Sequence, residues 1–492
     1  MKKFIQLILV SLVIIVATQM IGCAKEEVNR NAAKRDIRAV WISTVFNLDW
    51  PSTKGDINAQ KEEFIKILDD VSSLGFNTVI VQVRPKGDAL YQSKINPWSE
   101  VLTGIQGQDP GYDPLEFMIK EAHQRNLEIH AWLNPYRVTS LPAENDQLAP
   151  NNFAVQHPQW VIEYDNKLYY NPGIPEVRHY IVDTVKEIVE NYDIDGIHFD
   201  DYFYPKKNID DKIAYEQYGE GKSLEAFRID SVNQLVAEVN QAIKQIKPEV
   251  KFGISPAGIW KNKSNDETGS DTEGYESYYE IFCDTRTWIQ NEWIDYVVPQ
   301  VYWTTDNKNS NYVTVVEWWN NEVKGKKTQL YIGEGIYKDE IVAELAEQIK
   351  VNEKYDNVKG SVYFTYSDIS NNRNGVREAL KELYRLPAIP YSMPWLNDKK
   401  PKPVEVAIND NGTSKAITIF NNYQDAKYYL IYRFNQGEKM DLTNPAKIIA
   451  KVRNNEGEYE EYVDNKDGDF YYAITALNRN HIESNPTVKL KN

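Results

Sequence analysis

The residues best suited to chemistry lie in one stretch, Asp193-Ile194-Asp195-Gly196-Ile197-His198-Phe199-Asp200-Asp201-Tyr202-Phe203-Tyr204-Pro205. Two adjacent carboxylates, Asp200 and Asp201, close an apolar run and open one rich in aromatic rings. Cleavage of a glycosidic acetal needs an acid for the leaving oxygen and a second group that stabilises or attacks the anomeric carbon, and a pair of acids can supply both. Gly196, His198 and Asp200 alternate with Ile197 and Phe199. On an extended backbone the polar set therefore shares one face and the apolar set the other. The plainer reading of an Asp-Asp pair is a helix cap or a partner for a nearby arginine. The glycine before the pair and the rings of Tyr202, Phe203 and Tyr204 after it favour a sugar-binding, proton-transferring role.

Other groups are expected on the same rim. Arg84 and Asp88 end one run, and His130, Trp132 and Asn134 alternate along another, followed by Tyr136 and Arg137. Gln300, Tyr302 and Trp303 end a third, and Glu334 a fourth. An eighth run leads through Tyr363 and Thr365 or through Phe364 and Tyr366, of which Tyr366 is taken as a substrate contact. Asp200 and Asp201 are the expected catalytic residues, with Asp88, Glu334 and Asp284 as candidates for a separate proton donor. Arg84, His130, Trp132, Asn134, Tyr136, Arg137, His198, Tyr202, Gln300, Tyr302, Trp303 and Tyr366 are the expected substrate contacts. No metal and no cofactor is expected: the six histidines show no zinc-binding spacing, and Asp109-Pro110-Gly111-Tyr112-Asp113-Pro114 reads as a turn and a helix start, with Asp113 capping and Pro114 first in the helix.

Positioning such a set calls for a scaffold that gathers strand ends. Eight short β-branched runs, at 38–44, 78–84, 128–134, 196–200, 251–256, 296–302, 329–333 and 361–366, alternate with segments whose apolar residues recur at helical spacing. That is the pattern of a closed (β/α)8 barrel of the TIM type, whose catalytic groups cluster at the carboxyl ends of the strands. An open doubly wound sheet competes, but no glycine-rich phosphate loop follows an early strand.

Around the barrel, residues 37–386, the chain divides further. Lys2 and Lys3, an apolar run from Phe4 to Met20 and Ile21-Gly22-Cys23 resemble a bacterial lipoprotein signal cleaved before a lipidated Cys23. An uncleaved membrane anchor is the alternative, and either places the rest in the cell envelope, outside the cytoplasm. Ala24-Lys25-Glu26-Glu27 resembles a surface-export signal, and residues 24–36 read as a tether. With Cys23 lipidated only Cys283 remains, which excludes a disulfide within the mature chain and points to a buried thiol. Prolines and charges at 387–403 read as a linker, and residues 404–492 as an all-β sandwich. A net charge of −16 repels phosphate backbones, so nucleic acid is not an expected partner; a glycan and a membrane are.

Four motifs are recognisable together. They are Arg38-Ala39-Val40-Trp41-Ile42-Ser43-Thr44-Val45-Phe46-Asn47-Leu48-Asp49-Trp50-Pro51, His130-Ala131-Trp132-Leu133-Asn134-Pro135-Tyr136-Arg137, the stretch around Asp200, and Val298-Pro299-Gln300-Val301-Tyr302-Trp303. In this order they resemble the glycosyl hydrolase-like 10 family of bacterial lipoproteins, over roughly residues 35–385. The resemblance implies a barrel with hydrolase activity, in one branch on peptidoglycan glycan strands stripped of their peptides, and a strand-four acid that maps onto Asp200 with Asp201 beside it. Tyr471 to Arg479 with Glu483-Ser484 resembles the late strands of fibronectin type III domains. Two schemes stay open: Asp200 as nucleophile or base with a distant acid, or attack by the substrate's own N-acetyl group with Asp200 orienting it and Asp201 as the acid. A non-catalytic glycan-binding surface lipoprotein and a hydrolase of capsular or dietary polysaccharide are the rival functions.

Overall fold

The computed structural model describes residues 33–142, 147–421, 425–455 and 457–489. The signal segment, Cys23 and most of the tether lie outside these. Among the described residues no helix is long and apolar enough to cross a membrane.

Eight parallel strands close into a barrel: β1 (Ile37–Ile42), β2 (Thr78–Arg84), β3 (Glu128–Leu133), β6 (Gly196–Phe199), β7 (Lys251–Ile254), β8 (Tyr296–Val297), β9 (Gln329–Glu334) and β10 (Val358–Tyr363). Each expected run overlaps one of them, the eighth sharing only Ser361 to Tyr363 with its strand, and β10 closes on β1 through Ile37 opposite Gly360 and Val40 opposite Tyr363. Helices cover the outside. The first, Ile57–Ser73, begins where the Asp56 side chain accepts a hydrogen bond from the Ala59 amide and buries Phe64, Ile67, Leu68 and Val71, one stripe at helical spacing. Full burial of a side chain of this size stabilises by about 1.5–3 kcal/mol. Asp113 caps the helix Pro114–Gln124 as expected. Cys283 is fully buried.

Inside the barrel the layers are aromatic and polar. Tyr296 stacks on Tyr331 at 5.1 Å and on His198 at 5.9 Å, with His130 tilted against it at 5.4 Å. Glycine at 196 and 253 makes this possible: a Cβ on Gly196 would lie 2.8 Å from the His130 ring, and one on Gly253 2.1 Å from the Tyr296 ring.

A short antiparallel hairpin, β4 (Val161–Tyr164) and β5 (Lys167–Tyr170), interrupts the loop after β3. Its two-residue turn, Asp165-Asn166, takes φ of 51° and 59°, the left-handed pair that a tight hairpin requires.

The C-terminal part is a sandwich of two antiparallel sheets. One has the order β11 (Glu405–Asp410), β12 (Lys415–Phe420), β15 (Tyr459–Asp464), the other β14 (Ile448–Arg453), β13 (Tyr428–Asn435), β16 (Phe470–Leu477), β17 (Thr487–Lys489). Alternate residues of β13 and β16 face two different cores. Tyr429, Ile431, Tyr472 and Ile474 meet the other sheet, while Tyr428, Leu430, Tyr432 and Ala473 pack in a second cluster with Ile389.

Residues 387–403, expected as a linker, are docked instead. Ile389 pairs with Arg35, and Met393 enters the interior cluster that holds Ile37, Ala39 and Tyr331, with Trp395 and Leu396 against it. The Trp395 indole donates to Asp295 at 2.9 Å and Gln329 to the Ser392 carbonyl at 3.0 Å. The strap thus closes the barrel at the amino ends of its strands.

Candidate active site

Asp200 is the first residue after β6, so the alternation that buries Ile197 and Phe199 against the helices sends its carboxylate inward at the carboxyl end of the barrel. It is only 4% exposed but lines a cavity of about 300 Å³ at that mouth, together with Asp201, Tyr202, Arg137 and Trp132. Asn134 Nδ2 and the Trp132 indole N–H, the latter at 3.2 Å, donate to Asp200 Oδ2, and the Tyr202 amide donates to Oδ1 at 3.1 Å. Asn134 is in turn held by Gln82, whose Nε2 donates to Asn134 Oδ1 at 2.6 Å. The other end of Gln82, Oε1, accepts from the amides of Thr44 and Val45 at 3.0 and 2.9 Å. Four strand ends thus fix one carboxylate.

The electrostatics favour a shared proton. Burial first, and then the charge of Asp201, pushes the Asp200 carboxyl up to about 7. Burial also raises Asp201, while a hydrogen bond from Gln300 and the charge of Arg137 act the other way. Near neutral pH such a pair keeps one proton and one negative charge, the state acid catalysis beside a charge stabiliser requires. The Arg137 guanidinium sits over the Tyr202 ring at 4.4 Å, and Tyr202 is half exposed at the rim. The charge of Asp201, and then burial, pushes the Tyr202 phenol up to about 12, so it stays neutral.

Beneath the cavity His198 completes an oriented chain. Trp41 Nε1, which can only donate, points at His198 Nε2 from 3.2 Å, so the imidazole proton sits on Nδ1. Nδ1 then donates to the Tyr296 hydroxyl at 3.1 Å, and that hydroxyl donates to His130 Nδ1 at 2.8 Å. Burial, with the nearby His130, pulls His198 well below the usual histidine range and keeps it neutral.

The structure brings Asp200, Asp201, Trp132, Arg137, Tyr202, Gln300 and Tyr302 to one cavity, with Asn134 and His198 directly behind. It separates the rest. Glu334 shares the strand face of Leu330 and Ile332, so it points out of the barrel, where Tyr312, Asn352 and Ser361 hydrogen-bond to Oε1. Its carboxyl is pushed up to about 7 by burial, yet it is not among the residues that line the cavity. A register irregularity between Gln82 and Arg84 takes Arg84 out of the alternation, and its guanidinium is buried on the Asn134 and Pro135 carbonyls and the Tyr180 hydroxyl.

Asp88 is fully buried beside Lys86 and Glu100; burial and then Glu100 push it up to about 7. Asp284 caps the helix Thr285–Gln290 and holds the Trp260 indole. Tyr136 is buried among apolar side chains outside the barrel, and the Tyr366 hydroxyl reaches out to Asp70 at 3.3 Å. His130 lies deep in the interior, and Trp303 packs beside Gly258. Trp41, Ser43, Leu48, Gln82, Ser255 and Tyr337 line the cavity although the sequence reading names none of them as a site residue, and of the two parities offered for the eighth run it is Phe364 that lines it. Trp41 and Ser43 lie at alternate positions after Ala39, and this parity marks them as inward-facing.

Residues 36–351 match the model of a family described as Glycosyl hydrolase-like 10. Glycosyl hydrolase YngK of Bacillus subtilis (strain 168) is 44% identical over 476 residues, 92% of this chain and 92% of that protein. Glycosyl hydrolase DigH of Escherichia coli (strain K12) is 38% identical over 374 residues, covering 69% of this chain and 85% of its own. Among solved structures, the PgaB (BpsB) glycoside hydrolase domain from Bordetella bronchiseptica aligns with 71% of this chain and 99% of that one, at 12% identity and a TM-score of 0.46. A likeness that distant adds nothing to the barrel already described.

Proposed function

Because the chain belongs to the glycosyl hydrolase-like 10 family, we propose that it is a glycosidase of the cell envelope, lipid-anchored through Cys23, that cleaves peptidoglycan glycan strands containing N-acetylated sugars. The observation that carries the reading is the adjacent acid pair at the open mouth. Asp88, Glu334 and Asp284, the candidates for a distant proton donor, all lie away from it.

An adjacent pair suits attack by the substrate's own acetamido group. In the reactive form the three donors into Asp200 hold it as the carboxylate and the proton shared by the pair sits on Asp201, which gives it to the leaving glycosidic oxygen as the C–O bond breaks. The acetamido carbonyl oxygen bonds to the anomeric carbon, and the Asp200 carboxylate accepts the amide N–H and stabilises the positive charge that develops. Water then opens the cyclic intermediate, passing a proton back to Asp201 and restoring the acetamido group. Asn134 and Trp132 keep Asp200 turned towards the sugar, and Tyr202, Tyr302 and Phe364 offer ring faces. In the C-terminal module the sheet orders, first-second-fifth and fourth-third-sixth-seventh, support a fibronectin type III-like domain that docks the barrel.

The test is incubation of the soluble protein, residues 24–492, with peptide-free peptidoglycan strands, and mass spectrometry of what is released. Shorter glycans with a new reducing end, absent with Asp200→Asn, are expected. Strands bound but never cut would support the non-catalytic binder. Cleavage of capsular or dietary glycans in their place would move the substrate.

A further inference from the structure

A second cavity, also about 300 Å³, opens at the same end of the barrel and is lined by Phe46, Asn47, Lys54, Glu100, Gln106 and Gln147. The segment Val45–Leu48 borders both it and the cavity of the acid pair. Val45 and Leu48 face the acid pair's cavity, and Phe46 and Asn47 face the second. We propose that this second cavity is a remote sugar subsite of one continuous trough, with Phe46 as the ring on which a sugar of the same glycan chain stacks. The proposal rests on the glycosidase reading of the first cavity and extends it to chain length.

Three observations converge on it. The ridge is apolar where solvent should be: Phe46 is 65% exposed, Leu48 49%, and Ile105, across the second cavity, 63%. Clustered exposed apolar side chains mark a binding surface, and the polar groups between these suit hydroxyls.

The ridge is also held in an unfavourable shape. Phe46 and Asn47 take consecutive φ values of 58° and 53°, a left-handed conformation that a bulky residue such as Phe46 seldom adopts. Asn47 Nδ2 pins it by donating to the Pro51 and Val101 carbonyls at 2.8 and 2.9 Å. Asp49 pins it from below, accepting from the Ser43 amide at 2.6 Å. Strain kept at the edge of a cleft, around an exposed ring, is the kind of arrangement that function maintains.

Finally, the ridge is mechanically joined to the acids. Gln82 accepts from the Val45 amide and donates to Asn134, which donates to Asp200. The ridge that carries Phe46 is therefore held in a fixed position relative to the carboxylate, and binding energy gained there can be used to orient the scissile bond.

The test compares the shortest peptide-free peptidoglycan fragment that is cleaved with fragments several sugars longer. For the wild type, kcat/KM should rise at least tenfold with length. In Phe46→Ala that long-to-short ratio should fall several-fold, and in Phe46→Tyr, which keeps the ring, it should be preserved. An unchanged ratio in Phe46→Ala, or no length preference in the wild type, would overturn the subsite and leave the glycosidase reading standing. Wild-type protein that cleaves no fragment of any length strikes the glycosidase reading itself, and the subsite falls with it.

Discussion

The two mouths of the barrel carry the same residue types and treat them in opposite ways. At the carboxyl mouth Asp200 is buried beside the half-buried Asp201, and both are raised above the ordinary carboxylate range. At the amino mouth Glu128 and Asp195 are buried as deeply as Asp200. Although burial opposes it, Lys251 and His481 hold Glu128 well below that range, and His123 and Arg479 do the same for Asp195. His481 and Arg479 come from the C-terminal module, so that lower network of charges is also what docks it. Burial alone therefore does not distinguish a reactive acid from a structural one. The difference lies in the partners: among the described residues Arg137 is the cation that acts on the upper pair, whereas each lower acid has a cation and a histidine ring against it, Lys251 and His481 on Glu128, Arg479 and His123 on Asp195.

Four substitutions can break or sharpen this contrast. Asp200→Asn should lower kcat by at least about 1,000-fold in the product-release assay while the thermal melting curve stays cooperative. A fall under tenfold would end the argument for the upper pair. Glu128→Gln leaves Lys251 buried without its partner and should cost about 3–5 kcal/mol of stability in urea unfolding. The folded fraction should keep its kcat, and a parallel collapse of kcat would mean the two mouths are not separable.

A subtler effect is expected from Arg137→Met. The wild-type pH profile of kcat/KM should bend near pH 7, where Asp200 titrates. Arg137 lowers both acids, so its loss should move that bend upward by about 0.5–1 pH unit. A downward move would reverse the sign assigned to its charge. The smallest change in activity belongs to Glu334→Gln, within about twofold of wild type.

That variant has a signature of its own. The Glu334 carboxyl is raised from 4.5 to about 7, so the folded state holds a proton that the unfolded chain has released. Its contribution to stability is complete below pH 4.5 and is lost as pH rises through about 7. Glu334→Gln should flatten the stability curve over that interval, read by thermal melting across pH.

Much of this was legible from the chain. The β/α alternation and the parity of Gly196, His198 and Asp200 placed the central carboxylate at the correct mouth. Parity misled where the backbone departs from it or was not applied. The irregular pairing after Gln82 turned Arg84 away, and counting from Leu330 and Ile332 would have sent Glu334 outward. The β4–β5 hairpin carries a local signal, Asp165-Asn166 between short strand-forming segments. The docked strap had none. Its prolines are those of a linker, and contacts far along the chain seat it, such as Arg35 to the Pro390 carbonyl and Gln329 to the Ser392 carbonyl. The charge network of Glu128, Lys251 and His481 is hidden for the same reason.

The strap has a geometric consequence. Arg35 pairs with Ile389, and Lys34 reaches Glu483, so the chain enters the barrel on its stoppered side. Whatever grips the protein by the residues before 33 holds it by its base, with the acid pair at the far end and uncovered by the support. A polymer too large to pass beneath the protein can still reach the trough from above.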